Sequence, residues 1–403
     1  MAHDDGGLDR RTFLVGATLA SVGLAAPRLA TARASIRDTR TLGKTGLRVP
    51  DIAFGTFRLK DGDEDLVRYA LDAGVTHFDT AESYGSGASE RTLGRALAGR
   101  RDRCTITTKT LAGANATRAE LTRGLEESLR RLDTDHVDVY LNHAVNEVAR
   151  LENPAWREFV ADAKRQGKIR FAGMSGHAGN LIACLDYALD HDLADTILVA
   201  YNFGQDPKFY ERFLHDLDMV AVQSDLPRVL AKAKTKNVGV QTMKTLMGAR
   251  LNDMRPFETN GSTFAQSAFR WVLSNHDVDG IVVTMPDRAH VDEYLAASGA
   301  RTLAGADGDL LVRYASLQAG GYCRHGCGAC EPACPVGVPI GEVLRARMYA
   351  RDYGVVEIAR QEYASLGAAA SACLSCSAEP CAGSCPYGLA PNVLARATHR
   401  LLT

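Results

Sequence analysis

The chain has 403 residues, 46% of them hydrophobic, and a formal net charge of −1. This length and composition suit one large domain with a buried core and a smaller appended domain. The near-neutral charge and the lack of a long basic run argue against nucleic acid as a partner.

The first 34 residues have the pattern of an export signal. A twin arginine, Arg10 and Arg11, precedes a weakly apolar stretch over residues 13–26, and residues 32–34 (Ala-Arg-Ala) offer a small-x-small cleavage site. The apolar stretch is too short and too rich in small residues to span a membrane. We therefore predict a twin-arginine signal over 1–34 and a periplasmic or other extracytoplasmic protein without a membrane span. A disordered tail with a chance arginine pair is the alternative.

Eight short apolar runs alternate with amphipathic helical segments over the middle of the chain. The predicted strands are Ile52–Phe57, Val75–Asp79, Thr105–Thr108, Val137–Leu141, Ile169–Met174, Ile197–Tyr201, Val238–Thr242 and Gly280–Val283. Eight β/α units over about 250 residues predict an α/β fold, a (β/α)8 TIM barrel, over residues 35–305. A doubly wound sheet is the alternative, but no G-x-G-x-x-G follows the first strand.

The helical segments carry start and stop signals. Thr117 and Glu120 form a capping box, Glu64 begins a helix that ends at Gly74, and Ser262 is a candidate N-cap. These signals place helices between the predicted strands, as a (β/α)8 barrel requires.

Four titratable residues follow predicted strands and so fall on one rim of the barrel, where such folds place their chemistry. Asp79 closes the second strand, Tyr84 lies five residues further on, Lys109 follows the third strand and His143 the fourth. A tyrosine hydroxyl can protonate a carbonyl oxygen, and a nearby lysine lowers the tyrosine's pKa. A carboxylate would hold the lysine, and a histidine would orient the carbonyl. We predict these four as a catalytic set that uses hydride from a nicotinamide, because no side chain supplies one.

Eight of the ten cysteines lie in two C-terminal runs that each end in Cys-Pro. They are Cys323, Cys327, Cys330 and Cys334 in the first run, and Cys373, Cys376, Cys381 and Cys385 in the second. Four thiolates suit one [4Fe-4S] cluster, and a run closed by Cys-Pro is typical of bacterial ferredoxins, although each run here has one looser gap. We predict two [4Fe-4S] clusters in a small helical ferredoxin-type domain over residues 315–403. A zinc site, disulfides or a single cluster are the alternatives.

The ligand sets follow only by analogy. In two-cluster ferredoxins the fourth cysteine of each run ligates the other cluster. By that analogy the first set is Cys323, Cys327, Cys330 and Cys385, and the second is Cys334, Cys373, Cys376 and Cys381. Residues 335–372 between the runs can form two helices, and the two remaining cysteines, Cys104 and Cys184, are interpreted as buried inert thiols.

Several segments resemble the aldo-keto reductases. Residues 78–90 (FDTAESYGSGASE) resemble the family's second-strand motif, residues 41–49 its N-terminal hairpin, which closes the barrel floor, and residues 167–175 its fifth strand. The resemblance places the catalytic tetrad on Asp79, Tyr84, Lys109 and His143. It implies NADP(H)- or NAD(H)-dependent reduction of a small carbonyl substrate, or oxidation of an alcohol, with Tyr84 as general acid and base. The cysteine tail resembles a subgroup that carries a ferredoxin-type extension.

The resemblance also implies a set of cofactor-binding residues. It places Ser175 at the nicotinamide amide, where the family's usual Asn partner is replaced by Gly176 or His177. It places Tyr201 and Asn202 after the sixth strand, Met243 where many members stack a ring on the nicotinamide, and Arg288 near a 2′-phosphate. A solvated surface arginine is the alternative for Arg288.

The predicted nicotinamide site transfers two electrons as hydride, whereas the predicted [4Fe-4S] clusters transfer one electron at a time. A flavin normally couples the two, and the sequence has no recognisable flavin motif. Three functions stay open. The first is a cluster-bearing oxidoreductase exported with a tightly held nicotinamide. The second is an electron-transfer protein, with its own electron-transfer partner, whose barrel binds another redox group. The third is a non-catalytic ligand-binding barrel with structural clusters.

Overall fold

The computed structural model describes residues 33–177, 179–205, 223, 225–246, 254–258, 261–318, 323, 327–351 and 356–403. Residues Ala34–Thr403 pack together as one compact unit. The prediction of a twin-arginine signal over residues 1–34 lies outside the described residues, except for the last two positions.

A short antiparallel hairpin precedes the barrel, formed by β1 (Thr39–Thr41) and β2 (Arg48–Pro50). Leu42, in its turn, is fully buried and packs with side chains from the barrel strands. Gly43 has a φ of +48°, and a Cβ there would come within 2.3 Å of the backbone nitrogen of Gly239, where a barrel strand begins. Only glycine allows this approach, and the hairpin therefore closes the end of the barrel where the strands start.

Eight parallel strands close the barrel in chain order. They are β3 (Ile52–Gly55), β4 (His77–Asp79), β5 (Thr105–Thr110), β6 (Val137–Asn142), β7 (Ile169–Gly176), β8 (Thr196–Ala200), β9 (Gly239–Met243) and β10 (Gly280–Thr284). Each strand pairs with the next, and β10 pairs with β3 to complete the ring. The predicted TIM barrel is confirmed, and every predicted strand ends within two residues of the observed bounds.

Helices follow the strands and form the outer layer. They are α1 (Glu64–Asp72), α2 (Ala88–Leu97), α3 (Arg118–Leu132), α4 (Ala149–Glu152), α5 (Pro154–Arg165), α6 (Leu181–Asp190), α7 (Leu226–Thr235), α8 (Phe264–Leu273), α9 (Arg288–Leu295) and α10 (Gly305–Gln318). The predicted capping box of α3 is present. Ser262 is not the cap of α8, because Thr263 forms a capping box there and the Ser262 hydroxyl accepts a hydrogen bond from Arg270 instead.

The C-terminal tail forms three further helices, α11 (Ile340–Arg351), α12 (Val356–Ser365) and α13 (Pro391–Leu402). The first two confirm the helices predicted between the cysteine runs. The tail has its own core, whereas the core around the barrel extends to Leu311 and Tyr314 of α10, beyond the predicted boundary at residue 305. Of the helices in the described ranges, none has the length and apolar character needed to cross a membrane.

Candidate active site

Lys109 lies at the centre of a buried network on the barrel rim. Its Nζ donates to Oδ1 of Asp79 at 2.6 Å and to the carbonyl oxygen of Thr80 at 2.7 Å. Strand pairing sets this contact: Asp79 lies opposite Thr107, and Lys109, two residues further along β5, points to the same side of the sheet. The side chains of Lys109 and Asp79 are 1% and 4% exposed, so the ion pair is shielded from water.

Tyr84 completes the group on the open side of Lys109. Its hydroxyl lies 3.5 Å from Lys109 Nζ, which in turn lies 4.9 Å from the centroid of the tyrosine ring. The ring packs edge-on against Phe57 and His143, with centroid distances of 5.1 and 5.7 Å. The structure thus brings together the four residues predicted as the catalytic set, including Asp79.

Burial controls the protonation of Tyr84. It raises the pKa of Tyr84 well above its ordinary value, and the nearby Asp79, Tyr349 and Glu362 raise it further. This direction is opposite to the lowering expected from Lys109, because the loss of solvation is the largest cause of the shift in pKa. The phenol therefore keeps its proton at neutral pH and is a proton donor.

The same burial acts on the ion pair. Burial lowers the pKa of Lys109 and raises that of Asp79, and the attraction between the two opposes both shifts. In the part of the chain that the structure describes, Oδ2 of Asp79 is buried without a hydrogen-bond partner. Burial thus disfavours both charges, while their mutual attraction, weakly screened where water is excluded, favours them.

His143 is neutral in this environment. Burial lowers its pKa well below the ordinary value, and the charges of Lys109, Arg150 and Lys244 add to the effect. Its Nδ1 is buried and has no hydrogen-bond partner among the described residues. A buried polar atom without a partner is costly, and a bound ligand would satisfy it.

Two of the predicted cofactor-binding residues hold rim loops in place. Ser175 is fully buried at the end of β7, and its hydroxyl oxygen accepts a hydrogen bond from the Ala144 amide at 3.1 Å. Asn202 donates to the carbonyl oxygen of Lys244 at 3.4 Å and accepts from the Gly204 amide at 2.9 Å. Ser175 therefore acts here as a buried acceptor that fixes the loop carrying Ala144.

The other three predicted cofactor residues lie in different surroundings. Tyr201 packs against Trp271 of α8, with centroids 5.2 Å apart, so its ring faces the helix layer and not the tetrad. Met243 packs against the cluster inside the barrel. Arg288 is exposed at the start of α9, and its guanidinium lies 5.0 Å from the ring centroid of Tyr69. Of the three, only Met243 comes to the barrel interior.

Sequence reasoning missed two residues beside the tetrad. Lys244 directly follows β9 on the same rim, and its Nζ donates a hydrogen bond to the hydroxyl of Tyr349 in α11. The rule that identified His143, a polar residue directly after a strand, would also have found Lys244. No comparable signal marks Tyr349, because it lies on a helix of the tail, far away in the sequence.

Cysteines of both runs contribute to a first group of thiols, whose members affect the pKa of Cys323. Burial, together with the neighbouring thiols of Cys330, Cys327 and Cys385, raises the pKa of Cys323 to about 12. Cys385 belongs to the second run and the others to the first. The ferredoxin analogy predicts the same grouping for one ligand set, and that assignment stays a prediction.

A second set lines a small apolar cavity. Burial is the main cause that raises the pKa of Cys373, and the nearby thiols of Cys334, Cys381 and Cys376 raise it further. All four of these cysteines border the same cavity, which Arg396 and apolar residues of α11 and its preceding turn help to enclose. Across the described ranges, no three Cys, His, Asp or Glu side chains are placed to hold a single metal ion.

Comparisons with known proteins agree with the barrel. Residues 51–305 match the model of the Aldo/keto reductase family. L-glyceraldehyde 3-phosphate reductase of Escherichia coli O157:H7 is 27% identical over 302 residues (64% of this chain, 86% of that protein). Methylglyoxal reductase YeaE of Escherichia coli K12 is 30% identical over 223 residues (53% of this chain, 72% of that protein).

Solved structures give the same picture. An aldo/keto reductase from Klebsiella pneumoniae, in complex with NADP and acetate, superposes with a TM-score of 0.52 at 27% identity and covers 68% of this chain and 94% of that one. A thermostable aldo-keto reductase, Tm1743, superposes with a TM-score of 0.55 at 27% identity, with coverage of 68% and 98%. The family match ends before the cysteine runs.

Proposed function

Since the chain belongs to the aldo/keto reductase family, it is an oxidoreductase, and we propose that it reduces small carbonyl compounds with hydride from NADP(H) or NAD(H). The observation that carries this proposal is the buried Asp79–Lys109 pair within reach of the Tyr84 hydroxyl and the His143 ring. These groups provide a protonated acid and a neutral imidazole at one point on the rim.

The tetrad residues divide the work of carbonyl reduction. Tyr84 donates its proton to the carbonyl oxygen as negative charge develops there. The Lys109 ammonium, fixed by Asp79, stabilises the phenolate that remains. His143, whose buried Nδ1 has no hydrogen-bond partner among the described residues, holds the carbonyl oxygen by a hydrogen bond. The nicotinamide, when bound, supplies the hydride.

The substrate class follows from the relatives. The similar proteins include reductases of L-glyceraldehyde 3-phosphate and of methylglyoxal, and an L-galactose dehydrogenase. Each compound carries an oxygen on the carbon next to its carbonyl carbon, or next to the carbon that becomes the carbonyl on oxidation. We take a small α-oxygenated aldehyde or ketone as the substrate class of this chain.

The nicotinamide proposal rests on the relatives and on the rim residues. The Klebsiella pneumoniae structures contain NADP or NADPH. In this chain Ser175 lies near the end of β7, at the position that the family resemblance assigns to the nicotinamide amide, and Met243 offers an apolar surface inside the barrel. Arg288, exposed at the start of α9, is the candidate contact for a 2′-phosphate and would favour NADP(H) over NAD(H).

We further propose that the tail holds two [4Fe-4S] clusters, on the two mixed sets of four cysteines. The first is supported by the thiols of Cys327, Cys330 and Cys385, which lie near enough to Cys323 to raise its pKa. The cavity bordered by Cys334, Cys373, Cys376 and Cys381 supports the second. The Val338 amide donates to Sγ of Cys334 at 3.4 Å, a contact typical of cluster ligands. Such clusters carry single electrons to or from an electron-transfer partner.

Export by the twin-arginine route is also part of the proposal. It rests on Arg10 and Arg11, the apolar stretch after them and the small-x-small site at 32–34. A cluster-bearing protein suits this route, because the route carries proteins that have already folded around their cofactors. The mature chain would then act outside the cytoplasm.

Anaerobic purification of the mature chain tests these proposals together. We expect about eight irons and eight sulfides per chain, as two [4Fe-4S] clusters require, with a bound or bindable nicotinamide nucleotide. Tyr84→Phe is expected to lower kcat for reduction by at least about 100-fold, in the range of a lost general acid, with nucleotide binding retained. Eight irons without any nucleotide binding would instead favour the electron-transfer function.

A further inference from the structure

Helix α11 of the tail lies with one face on the barrel rim. Glu342, Arg345 and Tyr349 are spaced i, i+3 and i+7, so they share this face. Oε1 of Glu342 accepts a hydrogen bond from the Gly179 amide at 3.3 Å, and Arg345 contacts Nδ1 of His177 at 3.2 Å. Both contacts fall on the segment that follows β7. The tail therefore covers the side of the rim where the barrel's chemistry lies.

The last residue of this face, Tyr349, pairs with Lys244. The Lys244 Nζ donates to the Tyr349 hydroxyl and lies 4.5 Å from the centroid of its ring. The arrangement repeats that of Lys109 and Tyr84, in which Nζ also lies near both the hydroxyl and the ring face. Two lysine–tyrosine pairs thus stand on the same rim, one within the barrel and one shared between barrel and tail.

The two pairs lie within electrostatic reach of each other. Tyr349 contributes to the raised pKa of Tyr84, and the charge of Lys244 contributes to the lowered pKa of His143. Tyr84, His143 and Lys244 are all partly exposed. A ligand that contacts Tyr84 and His143 therefore comes within electrostatic reach of the second pair.

Two features of Lys244 favour a role in binding. Its backbone has a φ of +57°, a left-handed conformation that is costly for a residue with a side chain and is concentrated at functional sites. Within the described part of the chain, no carboxylate lies within ion-pair distance of its Nζ. Burial, followed by the charge of Arg345, lowers the pKa of Lys244 to about 7, and in either protonation state its nitrogen has hydrogens to donate to a ligand oxygen.

We propose that Lys244 and Tyr349 bind the second oxygen of the substrate, the hydroxyl or oxo group on the carbon next to the carbonyl. This inference rests on the proposed function, in which Tyr84 and His143 bind the carbonyl oxygen. Oxygens on adjacent carbons need two neighbouring groups of donors, and the two lysine–tyrosine pairs provide them. The tail is then part of the substrate site, and Tyr349 is a specificity-determining residue.

The test compares two aldehydes that differ in one hydroxyl group, 2-hydroxypropanal and propanal, on the full-length chain purified anaerobically. We expect the wild type to favour 2-hydroxypropanal in kcat/KM. Tyr349→Phe is expected to lower kcat/KM for 2-hydroxypropanal about tenfold, the effect of one lost hydrogen bond, and to leave propanal within about twofold. Lys244→Met, which removes the barrel's half of the pair, is expected to act in the same direction.

Tyr363→Phe is the matched control. Tyr363 lies in α12 of the same tail, where its hydroxyl shares a hydrogen bond of 2.7 Å with His399, and it is also buried. Its replacement is expected to leave the ratio of the two aldehydes unchanged. Equal losses on both aldehydes in Tyr349→Phe and Lys244→Met, or no loss on either, would overturn the inference while leaving the reductase function intact. A wild type that reduces neither aldehyde would instead contradict the reductase function itself.

Discussion

The tetrad shows how burial, more than charge, decides which proton moves. Lys109 and Asp79 neutralise each other in a site that water does not reach, so little of the lysine's charge is left to draw a proton from Tyr84. The desolvated phenol keeps its proton, which suits an acid in carbonyl reduction. The same burial keeps His143 neutral, so its ring can bind an oxygen without competing as an acid.

The pH dependence of reduction follows from the raised pKa of Tyr84. Reduction consumes the phenol proton, and a group with a raised pKa holds its proton to higher pH, so activity is lost only as pH rises through that value. We expect kcat/KM for propanal, at saturating nucleotide, to stay level from about pH 6 and to fall only above about pH 10. Propanal is the suitable probe because it lacks an oxygen for Lys244. A decline centred near neutral pH would show that Lys109 lowers the pKa of Tyr84 after all.

At the level of single residues, the sequence predicted the tetrad because each member follows a strand of recognisable pattern. It did not predict that the pKa of Tyr84 is raised, because the burial of the ring depends on all the residues that pack around it. It also placed Tyr201 at the cofactor, whereas the ring turns outward to Trp271. The inward or outward direction of a strand-end residue depends on where the strand stops, which the pattern gives only to within two residues.

At the level of elements, the hairpin at the barrel floor offers a stability test at two glycines. Gly43 and Gly46 both have positive φ, but a Cβ on Gly43 would meet the Gly239 nitrogen at 2.3 Å, whereas one on Gly46 would meet nothing within 4 Å. Gly46→Ala is expected to cost about 1 kcal/mol, from backbone strain alone. Gly43→Ala is expected to cost at least about 2 kcal/mol more, because a backbone contact must also shift.

Urea denaturation of both variants measures these costs, with propanal reduction as a check on the distant rim. We expect activity in the folded state to stay unchanged in both, because the hairpin lies at the opposite end of the barrel from the tetrad. Equal destabilisation by the two substitutions would mean that the hairpin turn is not seated against β9.

The elements themselves were predictable, but the docking of α11 was not. Alternating apolar runs and caps fix the strands and helices, since these signals are local. Helix α11 buries residues on nearly all sides, including Val343, Ala346 and Tyr349, so its periodicity does not single out the face that meets the barrel. Arg345 on that face is a charged residue, which in a sequence suggests solvent.

At the level of the whole molecule, the tail connects the cysteine runs to the barrel rim. Its core contains α11 together with partly buried cysteines, among them Cys323, Cys334 and Cys373. The other face of α11 carries Tyr349 to the rim beside the tetrad. Whatever holds the cysteine core together therefore also holds Tyr349 against Lys244.

Removal of the proposed clusters is expected to change the choice of substrate more than the chemistry. A small domain built around bound metal loses folding free energy when the metal leaves, so α11 should loosen from the rim once iron is stripped by a chelator under oxidising conditions. The tetrad residues all belong to the barrel, and the contacts that join them lie within it. We expect the iron-free chain to reduce propanal within about threefold of the intact protein, but to lose the preference for 2-hydroxypropanal, as Tyr349→Phe does.

The iron-free form of Tyr349→Phe is the control, because it has no further preference to lose. An iron-free chain that keeps its preference would show that α11 stays on the rim without the clusters, and one that loses both activities would show that the barrel itself needs them.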